Sequence, residues 1–304
     1  MRIVFMGTPD FAVPSLRALA ERHEVILVVT RPDAVRGRGR KLVPSPVKAA
    51  ALELGIPVLE ASRADAVMVE AVVSAAPDVI CVAAYGALLP DAILDCAPLG
   101  CLNVHASLLP RGRGAAPVQR ALLEGEPVVG VSIMRLVQAM DAGPYCRQAS
   151  LEVGEKTCAQ VMEELAELGA DELLAALEDM QAGRVVWTEQ DDAQATYVAK
   201  VDKGEMFLDP ADTAFVNRRR VQASLDAAPA RFSLAGKGVR AIDARVSSKE
   251  VAPGKVLVAK RQVLLGCADA SLELLRVKPD GKREMDVSAW AGGLRGVDLT
   301  WERA

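Results

Sequence analysis

The 304-residue sequence predicts an α/β chain in two parts: a doubly wound parallel sheet first, then a small β-barrel or sandwich. Three observations lead there. Short apolar runs alternate with helical segments through the first 150 residues, as strands covered on both faces by crossover helices do. After about Ala230 the pattern becomes short strands separated by turn signals. Between them lies the polar stretch Gln190–Ala195. The expected division is 1–189 as the first domain, 190–205 as a linker and 206–304 as the second domain.

Taken in order, Arg2–Met6 is an apolar run that ends in Gly7-Thr8-Pro9-Asp10, followed by a helical Phe11–Arg22 and a strand at Glu24–Val29. Ser45-Pro46 opens a helix, Ser as N-cap and Pro at the first helical position, and Gly55 stops it. Strands are expected at Pro57–Leu59, Asp78–Ala83, Leu102–His105 and Val129–Leu136, with helices at Ala64–Ala75, Pro90–Leu94 and Ala116–Leu123. Thr157-Cys158-Ala159-Gln160 is a capping box for a long helix in which Gly169 introduces a bend and which Gly183 ends. Thr196–Val201 reads as a strand and Asp212–Ala223 as a helix. Strands follow at Arg231–Leu234, Val239–Val246, Lys255–Ala259, Gln262–Leu265 and Ser271–Val277.

Composition narrows the function classes. With 51% hydrophobic and 25% charged residues the chain buries sizeable cores, and with 4% aromatics Ala, Val and Leu must fill them. Six cysteines without a CxxC pair speak against a disulfide scaffold or a zinc ribbon and for a reducing compartment. No leader and no membrane-length apolar run is seen, so a cytoplasmic protein without membrane contact is expected. Residues 1–200 carry 18 Lys+Arg against 26 Asp+Glu, whereas residues 201–304 carry 18 against 14. A basic final third suits an anionic partner, or is a solvated surface.

The first strand–loop–helix lacks the GxGxxG of a dinucleotide site, and Pro117 stands where Arg111-Gly112-Arg113-Gly114 would need a third Gly. Histidine is more informative, because there are only two. His23 ends a surface helix. His105 ends an expected central strand, and alternation places Asn103 on the same side of it. Ligands bind at the carboxyl ends of such strands, and the Pro/Gly-bounded basic loop Ser107–Gly114 follows directly. An imidazole beside an amide and a flexible loop suits proton transfer with oxyanion stabilisation; a purely structural strand cap is the other reading. Asp141, in Met140-Asp141-Ala142-Gly143-Pro144, either orients His105 or only forms a turn. Cys101 lies near His105, but its strand position makes it a core residue. Two distant histidines and dispersed cysteines provide no metal cluster. Finally, Arg31, Arg36, Arg38, Arg40 and Lys41 stand against Asp33 in a link far longer than the usual ~2–6 residues. An overlong basic loop suits phosphate contacts, or is simply solvated.

Together these segments resemble the methionyl-tRNA formyltransferases over nearly the whole chain. Phe5–Ala12 is similar to that family's N-terminal motif. Asn103-Val104-His105-Ala106-Ser107-Leu108-Leu109-Pro110-Arg111 with Arg113-Gly114-Ala115-Ala116-Pro117 is similar to the folate formyltransferase signature, and Met140–Gly143 to the segment with its catalytic aspartate. Gly37-Arg38-Gly39-Arg40-Lys41 and its flanks resemble the insertion specific to the tRNA enzyme. The sequence departs at Gly112, where an aromatic is expected, at Ala142, where Thr is common, and at Met206–Asp209.

The resemblance implies a Rossmann-like catalytic domain and an OB-like, tRNA-binding β-barrel. It implies formyl transfer from 10-formyltetrahydrofolate to the α-amino group of methionyl-initiator tRNA, with Asn103, His105 and Asp141 as catalytic residues. Folate is expected along Ser107, Leu108, Leu109 and Pro110 and along Tyr85, Gly86 and Leu88. The tRNA is expected at Arg36, Arg38, Arg40 and Lys41. Neither a metal nor a stable oligomer is expected; the chain is read as a monomer. A formyltransferase or deformylase of another small substrate, and a non-catalytic RNA-binding protein, stay open as alternatives.

Overall fold

The computed structural model describes residues 1–35, 42–294 and 299–304. Contacts divide it into two compact units. One comprises Met1–Gly114, Val128–Glu152 and Met162–Val198; the other comprises Ala115–Pro127, Val153–Val161 and Ala199–Ala304. Of the stretch read as a linker, residues up to Val198 fall in the first unit and the rest in the second.

The first unit is built on seven strands: β1 (Arg2–Gly7), β2 (Glu24–Thr30), β3 (Val58–Glu60), β4 (Val79–Ala83), β5 (Cys101–His105), β6 (Val128–Arg135) and β7 (Tyr145–Glu152). Their spatial order is β7-β6-β5-β4-β1-β2-β3. The pairs among β1 to β5 are parallel, as expected. The sheet is nevertheless mixed, because β6 runs antiparallel to β5 and β7 antiparallel to β6. β7 escaped the sequence pattern because it is an edge strand with alternating exposed residues rather than an apolar run. Thr196–Val201 shrinks to Tyr197–Val198, which pairs in parallel with Arg113–Gly114.

Local signals explain the helices. Ser45 accepts the Lys48 N–H at 3.0 Å with Pro46 at the first helical position. Asp65 caps the Ala66–Ser74 helix by accepting the Met68 N–H at 3.1 Å. Gly169 lies inside the uninterrupted Cys158–Gln181 helix, and its role is close approach. A Cβ there would sit 2.6 Å from Val104 Cγ1, so the missing side chain lets the helix press onto β5.

The second unit is antiparallel. Strands β8 (Arg231–Leu234), β9 (Lys237–Ser247), β10 (Val256–Ala259), β11 (Gln262–Gly266), β12 (Ser271–Pro279) and β13 (Trp301–Arg303) order as β10-β11-β12-β9-β8-β13. Among the described residues the two edges meet at one bridge, Lys255–Thr300, so the sheet curls into an incompletely closed barrel. Its core holds Phe232 and Trp301 edge to face at 6.1 Å, and the Trp301 indole N–H donates to the Gly266 carbonyl at 2.9 Å. Trp301→Ala removes both contacts and leaves a cavity, for which a loss of about 3–5 kcal/mol is expected. Urea denaturation followed by circular dichroism checks this; an unchanged midpoint would contradict the core assignment.

Candidate active site

Strands β1 to β5 all end on one edge of the sheet. The strand order reverses between β1 and β4, and in this architecture that edge and that reversal mark the ligand crevice. Arg31, just past β2, reaches across it: its guanidinium donates to the carbonyls of Tyr85 and Gly86, the loop that leaves β4.

β5 sets the chemistry. Leu102 and Val104 are buried on the face that meets the long helix, which leaves Asn103 and His105 on the other face. Asn103 is half-buried, and its carboxamide makes no hydrogen bond to a described residue. His105 is buried. Its Nε2 lies 3.0 Å from the Gly112 carbonyl, which only accepts, so Nε2 carries the proton. Its Nδ1 faces Asp141 Oδ1 at 3.8 Å, beyond a hydrogen bond but close enough for the two side chains to fix each other's position. The other Asp141 oxygen accepts the Gly114 N–H at 2.8 Å. His105 and the Asp141 carboxylate therefore meet beside the Gly112–Gly114 turn, with Asn103 two residues before His105 on the same face of β5.

That turn is not the flexible basic loop its composition suggests. Arg113 has a side chain 1% exposed, and each end of its guanidinium is paired. Nε donates to Gln190 at 2.9 Å, Nη1 to the Tyr197 hydroxyl at 3.0 Å and Nη2 to Asp192 at 2.8 Å. A bond at each of the three nitrogens offsets part of the cost of burying the charge. Gly114 is required here. Its φ is +121°, and a Cβ would lie 2.3 Å from the Val198 carbonyl oxygen.

The folate candidates divide. Ser107 and Leu109 belong to a loop tied down by Ser132, whose hydroxyl donates to the Ser107 carbonyl at 2.6 Å and accepts the Leu109 N–H at 3.1 Å. Gln148 donates to the Leu109 carbonyl at 2.8 Å. Leu109 is thus turned into the core with both backbone groups engaged, whereas Leu108 and Pro110 are half-buried. The Tyr85 ring is also buried, its hydroxyl donating to the Ala61 carbonyl at 3.0 Å. Of the candidates on this loop, Gly86 and Leu88 are the exposed ones. Arg36, Arg38, Arg40 and Lys41 lie outside the described residues. On either side of them Ala34–Val35 pairs with Leu42–Val43, and Lys48 bridges Asp33 and Glu60 at the base. Bonds to Asp33 and then Glu60 push the Lys48 pKa up.

The cysteines stand apart from this chemistry. Cys101 is buried with its thiol toward the Ile93 carbonyl, and burial pushes its pKa to about 12. It is a neutral thiol at physiological pH, not a nucleophile. Among the described residues no cluster of three His, Cys, Asp or Glu side chains is placed to hold a metal ion, and no helix is long and apolar enough to cross a membrane. Sequence reading missed Ser132, Gln148 and Gln190, whose value lies in distant backbone partners that single polar residues do not advertise.

An α/β sheet with an Asn, a His and an Asp at its carboxyl edge, followed by a small antiparallel barrel, is the architecture of a folate-type formyl transferase. Residues 1–177 match the formyl transferase family and residues 200–295 the formyl transferase C-terminal domain. The chain is 42% identical over 290 residues to the methionyl-tRNA formyltransferase of Methylococcus capsulatus, covering 94% of each chain. It is 42% identical over 288 residues to that of Methylobacillus flagellatus, covering 93% of this chain and 94% of the relative. The chain belongs to the methionyl-tRNA formyltransferase family. Among solved structures, HypX from Aquifex aeolicus in complex with tetrahydrofolic acid shares the fold at a TM-score of 0.68 and 20% identity. That alignment covers 98% of this chain but 48% of HypX, so the chain spans about half of HypX. The methionyl-tRNA formyltransferase from Clostridium thermocellum shares the fold at 0.57 and 14% identity, over 82% of this chain and 94% of that one.

Gly114→Ala tests the turn. The added methyl collides with the Val198 carbonyl and enforces a strained φ, at a cost of about 1–3 kcal/mol, and displaces the N–H that Asp141 accepts. A lower melting temperature together with at least about tenfold slower turnover is expected; wild-type values for both would show that the turn does not organise the site.

Proposed function

We propose that this chain transfers the formyl group of 10-formyltetrahydrofolate to the α-amino group of methionine carried by initiator tRNA, supporting translation initiation. The observation that carries this reading is the end-to-end relationship to methionyl-tRNA formyltransferases in a chain that brings Asn103, His105 and Asp141 to one strand end.

The acceptor's amine attacks the formyl carbon of the co-substrate, the bond from that carbon to folate N10 breaks, N10 takes up a proton and the amine gives one up, so the protein needs no nucleophile of its own. Its task is to hold the oxyanion of the tetrahedral species and to manage protons. The Asn103 carboxamide is the available donor for the oxyanion. His105 Nε2–H serves as the second donor once it exchanges the Gly112 carbonyl for substrate, and Asp141 keeps the ring oriented during that exchange. The half-buried Leu108 and Pro110, with the exposed Gly86 and Leu88, form the folate wall. The basic residues Arg36, Arg38, Arg40 and Lys41 and the basic second domain take the tRNA.

A formylation assay with charged initiator tRNA and 10-formyltetrahydrofolate tests the activity itself. Formylation of a small amine in place of the charged tRNA would overturn the acceptor assignment. Asn103→Ala, His105→Ala and Asp141→Ala are each expected to lower kcat by about a hundredfold or more with native circular dichroism. Near-normal turnover of folded His105→Ala would remove it from the mechanism.

The tRNA assignment has a separate signature. Neutralising Arg36, Arg38, Arg40 and Lys41 together should weaken tRNA binding and flatten its salt dependence, each lost phosphate contact removing roughly 0.7–0.9 from the log–log slope. Folate affinity should stay the same. Superimposable lines for wild type and variant across a salt series would show that the loop is only solvated.

A further inference from the structure

We propose that Gln190 is the positioning residue for Asp141: it clamps the turn that carries this carboxylate to the buried Arg113, and thereby sets the catalytic geometry. The inference rests on the reading of Asp141 given above. Gln190 has one carbonyl oxygen and one amide nitrogen, and here both are committed. Its Oε1 accepts from Arg113 Nε at 2.9 Å, and its Nε2 donates to the carbonyls of Asp141 at 2.8 Å and Gly143 at 2.6 Å. The orientation of the amide is forced, because a guanidinium only donates and a carbonyl only accepts.

The clamp joins the two turns of the site. Asp141 sits at φ +50°, a left-handed conformation that a residue with a side chain seldom holds unaided. The two carbonyls that Gln190 holds are that of Asp141 itself and that of Gly143, so the amide braces the turn where the backbone is unusual. On the other side, the guanidinium that Gln190 meets belongs to the residue preceding Gly114, whose N–H the Asp141 carboxylate accepts. The ring Arg113–Gln190–Asp141–Gly114 is therefore closed by hydrogen bonds and one peptide link. The strap that supplies Gln190 is anchored on both sides: Thr188 exchanges backbone bonds with Tyr145 at 2.8 and 3.0 Å, and the Thr196 hydroxyl accepts the Gly112 N–H at 2.8 Å. Trp187 lies beneath the Arg135 guanidinium at 4.4 Å. With the strap held in these ways, losing the Gln190 amide loosens the Asp141 turn rather than the whole strap.

Gln190→Glu is the diagnostic change. It keeps the acceptor for Arg113 and replaces the donor by a carboxylate oxygen facing two carbonyls, which pushes the Asp141 turn away. Gln190→Met keeps the length, removes all the bonds, and carries the same comparison if the first variant does not fold. The measurement is steady-state formylation together with single-turnover rates, alone and combined with Asp141→Ala. The expected result is a fall in kcat of about 30-fold, with KM for both substrates within about twofold and a near-native melting temperature. In the Asp141→Ala background the Gln190 change should then cause no further loss, because the group it positions is gone. Unchanged kcat, a loss confined to KM, a loss that multiplies with that of Asp141→Ala, or failure of both variants to fold would each overturn the proposal. A wild-type chain that formylates nothing would instead remove the functional reading, and a fully active Asp141→Ala would remove the role of Asp141.

Discussion

The two-residue alternation of β5 is the constraint from which the site follows. Leu102 and Val104 must face the long helix, and Gly169 admits Val104 so closely that the strand has no freedom to roll. A slip of one residue would drive Asn103 and His105 into that apolar contact and turn two aliphatic side chains toward the crevice. The position of the imidazole at the sheet edge is thus decided by packing on the opposite face, several residues of helix away from any chemistry.

Antiparallel β6 adds a second consequence. Because it runs beside β5 in the reverse direction, Ser132 comes opposite His105 and its hydroxyl is directed at the loop that has just left β5. A parallel strand would have begun at the other edge of the sheet and left that loop without an internal anchor. With Gln148 on β7 donating to the same loop, the mixed half of the sheet holds the Ser107–Leu109 segment from below. The parallel half ends at the carboxyl edge, the side on which ligands bind in this architecture.

Features with a strong local period or a fixed spacing could be read from the sequence: β1, β2, β4 and β5 as apolar runs, Ser45-Pro46 as a helix start, and Asn103 with His105 as residues on one side of a strand. What could not be read depends on contacts across many residues. Edge strand β7 lacks the apolar run of a buried strand, and Gly169 looks like a bend because its reason, Val104, lies 65 residues earlier in the chain. Arg113 looks like one more cation in a basic loop until its guanidinium partners are known. The polar stretch beginning at Gln190 reads as a linker because polarity alone does not show which of its side chains also bond inward, as Gln190 and Asp192 do to Arg113.

Burial of Arg113 also explains how a Gly-rich turn can be a rigid part of a site. A guanidinium removed from water is costly unless it is well paired, and the geometry that pairs all three of its nitrogens is narrow, since the fork is planar and its partners approach from fixed directions. Gln190, Tyr197 and Asp192 supply that geometry, while the Tyr197 ring adds a face-on contact at 5.7 Å. Replacing Arg113 by Lys would retain the charge but not the three directions, and would leave at least one of these partners unpaired. The turn can therefore contain glycines at Gly112 and Gly114, which let its backbone approach His105 and Val198, without becoming loose: its stiffness comes from the side chain between them.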